Sequence, residues 1–441
     1  MRVTVVGLAE TGIATANVLA GLGAAVTVSE ARPEKAVAVA LARLDPRVAA
    51  ETGGHRPETF SGAGLVVPSP GVPRDHQGLA AAVAAGVPVQ SEIEVAWRLI
   101  DRPMLAITGT NGKSTAVSLL GAMLAAGGRR APVVGNIGTP LIAMAARDDY
   151  DFLVVEVSSF QLEWVDAFRP RVSAVLNVTD DHLDRYRDFA DYRDTKLRIA
   201  ARQGAADCLV INGDDPSLTG AGRGWPVRTV RFSSRPATDG LWLEGDLLRR
   251  STPAGAETLL DTRELKLTGA HNRENVMAAA AMALDVGVPA EAVRRGAIGL
   301  SALPHRNELV GVVRGVSYYD DSKGTNVGAV VKSLEGFDAP VILIAGGREK
   351  GGSYAPLADP AGRKVKLLIV IGEARARMKA ELGGVVRTVE AGSLEEAVGQ
   401  AASAGVPGDV VLLSPACSSF DMFRDYHHRG QVFRDAVGRL A

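Results

Sequence analysis

In AITGTNGKST, residues 106–115, an apolar run leads through two glycines to a lysine and two adjacent hydroxyls, Ser114 and Thr115, and the helix-forming segment AVSLLGAMLAA follows. Gly109 and Gly112 free backbone N–H groups to wrap phosphate oxygens, and the helix N-terminus adds the positive end of its dipole. Lys113 can reach terminal phosphates, and a following hydroxyl can bind Mg2+. The loop is tighter than the standard G-x-x-x-x-G-K-[ST] pattern, because Ile107 occupies the first glycine position. ATP binding is the expectation; the bland alternative is a glycine-rich turn with a solvated lysine.

Carboxylates gather further on. Glu156 ends the apolar run DFLVVE, where an open α/β sheet collects its ligands, and Ser158 and Ser159 follow it. NVTDDHLDRY then supplies Asp180, Asp181, His182 and Asp184. Mg2+ on nucleotide phosphates needs only one or two protein ligands. The same cluster also reads as a helix N-cap with an acidic first turn. Lys196, in YRDTKLRIA, is by spacing alone a solvated helix lysine.

A second phosphate-type turn opens the chain. MRVTVVGLAETG reads as strand, glycine turn and helix, with Ala9 where the dinucleotide fingerprint G-x-G-x-x-G has its middle glycine. Glu30 lies about 20 residues past the turn, where a carboxylate accepts from ribose or base donors. The elements that hold these groups alternate short strands with Ala-rich helices, predicting an α/β chain with parallel crossovers. The stretch from about 213 to 268, with segments such as LWLEGDLLRR, predicts a small antiparallel β excursion. From about 303, PVILIAGGREKG, KLLIVIGEARARM and DVVLLSPACSSF return to buried strands ending in polar loops. Three domains are therefore expected, at 1–92, 93–302 and 303–441: a Rossmann-like domain, a P-loop-type ATPase domain with the excursion, and a second Rossmann-like domain.

A chain of 441 residues fits such a multi-domain enzyme. A formal net charge of -1 with seven scattered histidines argues against a nucleic-acid partner. With neither a signal-peptide pattern nor an apolar run of roughly 20 residues, the expectation is a cytoplasmic protein without membrane insertion. Cys208 and Cys417 belong to no metal spacing, and reduced thiols are expected.

GTNGKST, GNIG (135–138), EVSSFQLE (156–163), NVTDDHLDRY, YRDTKLRI, GAHNRENV (269–276), LPHR (303–306), DDSKGTN (320–326) and SPACSSFDMF (414–423) occur in this order. Together they resemble the Mur ligases, the ATP-dependent amino-acid ligases of bacterial peptidoglycan synthesis, over essentially the whole chain. SSFQL, DSKGTN and the SPAC segment are similar to the D-glutamate-adding branch. The resemblance implies that ATP phosphorylates the carboxylate of UDP-MurNAc-L-Ala and that D-glutamate displaces the phosphate, in a monomeric enzyme. Another Mur-type or folylpolyglutamate synthase-like ligase is the nearest alternative. A dehydrogenase leaves the second phosphate loop unexplained, and a plain P-loop ATPase leaves the metal cluster and DDSKGTN without work.

Carried onto this chain, the resemblance implies ATP on Thr110, Asn111, Gly112, Lys113, Ser114 and Thr115, with Asn275, Arg306, Asp321 and Lys323 also facing the nucleotide. One Mg2+ falls to Ser114 and Glu156, and a second to His182 and to Lys196 as a carbamylated lysine; an ammonium cannot ligate Mg2+, whereas a carbamate offers a hard oxygen. Lys113, His182, Lys196 and Lys323 form the implied catalytic set. Asn136 and His182 contact the muramoyl-peptide, and Thr325, Lys350, Ser419 and Phe420 the D-glutamate, with Arg348 or Arg306 able to compete for its carboxylate. Glu10, Thr11, Glu30 and Gly71 would meet the uridine diphosphate, Ala31 standing where relatives carry a hydroxyl.

Overall fold

The computed structural model describes residues 1–237, 239–267, 269–301 and 303–440. The chain divides into two units: Met1–Val178, Ala190–Arg263 and Glu274–Ile298 form the first, and Thr179–Phe189, Glu264–Arg273 and Gly299–Ala441 the second.

The first unit contains two sheets. In the smaller, β1 (Arg2–Val6), β2 (Ala25–Glu30), β3 (Ala49–Thr52) and β4 (Leu65–Pro68) are parallel in the order β3-β2-β1-β4. The chain winds outward from β1 on one side and returns to its other side, so the order reverses at β1, where Gly7 begins the turn. In open α/β sheets such a reversal leaves a crevice beyond the strand ends. The helix Glu10–Gly21 follows and buries Gly12, Ile13, Ala16, Leu19 and Ala20. A Cβ at Gly12 would lie 2.0 Å from the Gly7 carbonyl oxygen, so only glycine lets the helix pack this closely. Ala9, at the helix N-cap, has φ -106° and ψ -176°, ordinary extended backbone that needs no glycine.

The larger sheet holds β5 (Met104–Thr108), β6 (Val133–Gly135), β7 (Leu153–Glu156), β8 (Val172–Val175), β9 (Cys208–Asn212), β10 (Arg228–Ser233), β11 (Leu241–Glu244), β12 (Leu247–Thr252) and β13 (Gly255–Asp261). Their order is β13-β12-β11-β10-β9-β8-β5-β7-β6. Every residue of β5, β7, β8 and β9 is buried, as strands covered on both faces must be. Each fully buried Val, Leu or Ile there contributes roughly 1.5–3 kcal/mol of transfer free energy. The order again reverses at β5, placing the phosphate loop at a switch point. The expected antiparallel excursion is confined to β11, β12 and β13; β10 runs parallel to β9 and β11, so the segment extends the main sheet. The 15 residues between β9 and β10 are long enough for the crossover that parallel pairing requires.

The second unit is built on β14 (Glu308–Val313), β15 (Val316–Asp320), β16 (Val341–Gly346), β17 (Val365–Ile371), β18 (Thr388–Glu390) and β19 (Val410–Leu413), in the order β14-β15-β19-β16-β17-β18. Only β14 is antiparallel to its neighbour. Arg314 and Gly315 both have positive φ, 51° and 79°, and turn β14 tightly into β15. The carboxyl ends of β15, β19 and β16 therefore lie side by side, and from them spring the loops beginning at Asp321, Ser414 and Gly347.

Candidate active site

The phosphate loop is braced by hydrogen bonds from within the chain. Asn177, just past β8, accepts from Thr110 N through its carbonyl (2.8 Å) and from Asn111 N through its side chain (2.9 Å), and donates back to the Asn111 carbonyl. Gly112 caps the helix Lys113–Ala126 with φ 87°, and a Cβ there would fall 2.3 Å from Asn275 Oδ1. Both the left-handed backbone and the close approach of Asn275 thus require glycine. Lys113 Nζ lies over the loop, donating to the Gly109 carbonyl at 2.8 Å and the Thr110 carbonyl at 3.0 Å. Ser114 and Thr115 are buried in the first helical turn.

Around this loop stand the groups expected to manage charge. Glu156 ends β7, is only 2 % exposed, and accepts from Asn136 Nδ2 at 2.8 Å. A buried carboxylate at the end of the strand next to the loop, and a buried hydroxyl on the loop itself, are the hard oxygen donors that Mg2+ takes, so these residues fit that ion. Lys196 is 1 % exposed; its ammonium donates to the Gly109 carbonyl at 3.1 Å and sits 4.5 Å from the Tyr192 ring centre. Tyr192 OH in turn is 3.1 Å from Thr110 Oγ1. The helix Phe189–Leu197 that carries both residues therefore packs on the phosphate loop, and Lys196 is not the solvated lysine its spacing suggests.

At the opening turn, Glu30 accepts from Leu8 N at 2.8 Å and from the backbone and Nε of Arg32, each at 2.9 Å. The Arg32 hydrogen bonds hold its carboxyl down at about 2, against the cost of burial. Glu30 thus ties the end of β2 to the glycine turn. Glu10 is exposed and paired with Arg43 at 2.7 Å. Thr11 is half-buried, and Gly71 and Ala31 are exposed.

In the second unit, a cavity of about 470 Å3 is lined by Asp181, His182, Asn326, Val331, Lys350 and Tyr354, among others. Asn326 caps the helix Val327–Glu335, accepting from Ala329 N, and donates to Asp181 Oδ2 at 3.0 Å. Lys350 Nζ lies 3.3 Å from Asp181 Oδ1 and 3.5 Å from Thr325 Oγ1. The cavity lining thus combines two lysines, Lys332 and Lys350, and three carboxylates, Asp180, Asp181 and Glu335, with the apolar Val327, Val331 and Pro356. His182, in left-handed backbone with φ 55°, lies 3.6 Å from Asp181 Oδ2 through Nε2.

Not every expected group faces this cavity. Ser419 is buried at 3 % exposure, while Phe420 is 62 % exposed and not among the lining residues. Asp321 is turned inward: its carboxylate accepts from Ser333 and Ser414 hydroxyls, each at 2.7 Å, and burial raises its carboxyl to about 6. Lys323 Nζ lies 5.1 Å from the Tyr426 ring centre. Arg306 Nε is buried without a hydrogen-bond partner among the described residues, and Arg348 is 3.6 Å from Glu373. Sequence reasoning passed over Asn177, Tyr192 and Asn326. Only Asn326 carried a signal, as an N-cap residue opening an apolar helical segment.

The chain matches three family models in succession: Mur ligase MurD-like, N-terminal domain, at residues 1–91; Mur ligase middle domain at 107–283; and Mur ligase, glutamate ligase domain, at 305–417. It is 47% identical over 441 residues to a UDP-N-acetylmuramoylalanine--D-glutamate ligase of Syntrophotalea carbinolica, covering 100% of this chain and 98% of that one. A ligase of the same name from Trichlorobacter lovleyi is 48% identical, covering 100% and 99%. Among solved structures, a pseudomurein peptide ligase type C from Methanothermus fervidus superimposes with TM-score 0.64 at 18% identity, each chain covered completely. A UDP-N-acetylmuramate-alanine ligase from Thermotoga maritima gives 0.62 at 17%, also with full coverage of both chains. These two likenesses concern the fold.

Proposed function

Because this chain belongs to the Mur ligase family, we propose that it is the ATP-dependent ligase that joins D-glutamate to UDP-N-acetylmuramoyl-L-alanine in peptidoglycan precursor synthesis. The observation that carries the reading is likeness along the whole chain to enzymes named for that reaction. A carboxylate resists attack by an amine, so it is first activated. The L-alanyl carboxylate oxygen bonds to the γ-phosphorus of ATP while the bond to the β,γ-bridging oxygen breaks and ADP leaves. The D-glutamate amine then attacks the acyl carbon and loses a proton, and the tetrahedral intermediate expels phosphate as the amide forms. Little of this is covalent work for the protein; position and charge dominate.

In this reading residues 1–92 hold the uridine diphosphate through the turns at Glu10, Thr11 and Gly71, with Glu30 fixing the first turn. Residues 93–302 hold ATP, and 303–441 the amino acid. Lys113 exchanges the Gly109 and Thr110 carbonyls for phosphate oxygens. Mg2+, when bound, neutralises charge that builds on the transferring phosphoryl group. Glu156 and Ser114 are its assigned ligands, and the Asn136–Glu156 hydrogen bond ties the residue that orients the muramoyl-peptide to the metal-holding carboxylate. His182, in the second unit, and a carbamylated Lys196, in the first, are each proposed as further Mg2+ ligands. Asn275, Arg306, Asp321 and Lys323 serve the nucleotide, Asp321 by bracing its loop from inside. Lys350 and Thr325 receive a D-glutamate carboxylate, for which Lys350 leaves Asp181, whereas Ser419 and Phe420 do not line the cavity that Lys350 faces.

The test offers UDP-MurNAc-L-Ala, ATP and Mg2+ with D-glutamate, L-glutamate, L-lysine or diaminopimelate in turn, and follows phosphate release and product mass. D-Glutamate alone should give rapid release and an amide product. Preference for another amino acid moves the chain to a sibling activity, and release without any amino acid makes it a plain ATPase.

A further inference from the structure

In the first unit an ion pair that the proposed chemistry does not use joins the loop after β4 to the helix that packs on the phosphate loop. The loop after β4 starts at Ser69, whose N–H donates to the Val6 carbonyl at 2.9 Å and whose hydroxyl donates to the Gly7 carbonyl at 3.3 Å. It is thus hydrogen-bonded to the opening turn itself. Five residues on, Arg74 Nη1 reaches Asp191, 3.1 Å from Oδ2 and 3.3 Å from Oδ1. The pair is sheltered, the Arg74 side chain being 34% exposed and that of Asp191 12%.

Asp191 lies in the first turn of the helix Phe189–Leu197. Its own carbonyl accepts from Thr195 Oγ1 at 2.7 Å. The next residue, Tyr192, reaches Thr110 of the phosphate loop, and Lys196, one turn further, donates to Gly109. Just beyond the helix, Arg198 donates to the carbonyls of Glu163 and Val165, at 2.6 and 2.7 Å. The helix is therefore anchored at its far end by Arg198 and at its near end by Arg74. Between the anchors it presents two side chains to the loop that binds ATP.

We infer that Arg74 and Asp191 are positioning residues that couple the sugar-nucleotide turns to the ATP loop: a uridine diphosphate ordering the loop after β4 sets the Phe189–Leu197 helix over residues 109–115. The inference rests on the function proposed above for the two turns. A ligand at either end orders the shared element and spares the second ligand that ordering cost, so the coupling is positive and reciprocal. A half-buried pair is suited to this, because its geometry is held by packing and it is less screened than a surface pair.

The experiment measures, by calorimetry on the full chain with Mg2+, the Kd of a non-hydrolysable ATP analogue with and without saturating UDP-MurNAc-L-Ala, and the converse. In the native protein each ligand should tighten the other by the same factor, about 5-fold or more. In Arg74→Met and in Asp191→Asn that factor should fall toward one, each Kd measured alone should change by less than about 3-fold, and the double variant should match the singles. Arg74→Lys, which keeps the charge and the stem, should retain part of the coupling and serves if the methionine variant does not fold. Coupling absent from the native protein, or unchanged in the variants, overturns the role of the pair while leaving the proposed activity in place. Failure of the native protein to bind the sugar nucleotide at all overturns both.

Discussion

Lys196 shows how far a residue's chemistry depends on what surrounds it. Its ammonium is buried between the Gly109 carbonyl and the Tyr192 ring, next to a loop whose work is to receive phosphate. Replacing it by alanine should lower turnover on the order of 100-fold, the scale of losing one charge-stabilising group. If Lys196 works as the proposed carbamate, a short carboxylic acid such as acetate should restore part of it by supplying the missing carboxylate; unchanged activity in the plain variant would refute the role. Lys350 tests the other end of the chemistry. With Thr325 beside it and Asp181 as its counter-ion, it is poised to trade one carboxylate for another. Lys350→Ala should raise the KM for D-glutamate about 10-fold or more, the worth of a charged hydrogen bond, and that for ATP far less. Equal effects on both would point to damaged folding instead.

At the scale of elements, helix starts and strand ends do the positioning, and Glu92 is the clearest case. It opens the helix Glu92–Leu99, is fully buried, and accepts from Ile142 N at 2.6 Å, just past the GNIG segment that carries Asn136. Burial pushes its carboxyl up to about 7, against smaller opposing effects from Ile142, Gln161 and Leu141. Since the folded chain holds this proton more tightly than the unfolded one, the associated stability is fully present below pH 4.5 and is lost as pH rises through 7. Thermal unfolding of wild type and Glu92→Gln from pH 4.5 to 8 should differ by up to on the order of 3 kcal/mol across that range. Parallel curves would rule this out. Glu92 also marks what the sequence can convey. The phosphate loop, the strand ending in Glu156 and the glycine turn at Gly7 were legible, because each is a local pattern of residue types. Arg74, Glu92 and Asn177 were not: their partners lie 117, 50 and 66 residues away, and nothing in a local window announces them. Inward-turned Asp321 and outward-placed Phe420 show the converse limit, a motif naming residues without fixing which way they face. The β14–β15 hairpin went unread because Arg314 occupies a positive-φ turn position that usually signals itself with Asn or Gly.

Across the whole molecule, both cysteines are buried, with thiols raised by burial to about 12 at Cys208 and about 11 at Cys417. Neither should react with a thiol reagent in the native protein, and both should react once it is unfolded; rapid native labelling would contradict the burial. Among the described residues no helix is long and apolar enough to cross a membrane. The brace on the phosphate loop also sets an order of events during synthesis. Among the described residues β5 pairs with β7 and β8, and the backbone N–H groups of Thr110 and Asn111 donate to Asn177. A ribosome must therefore deliver some 60 further residues after the loop before it can be shaped. A chain stalled before β7 and β8 emerge would expose the unpaired edges of a mostly apolar strand, the kind of surface that chaperones shield.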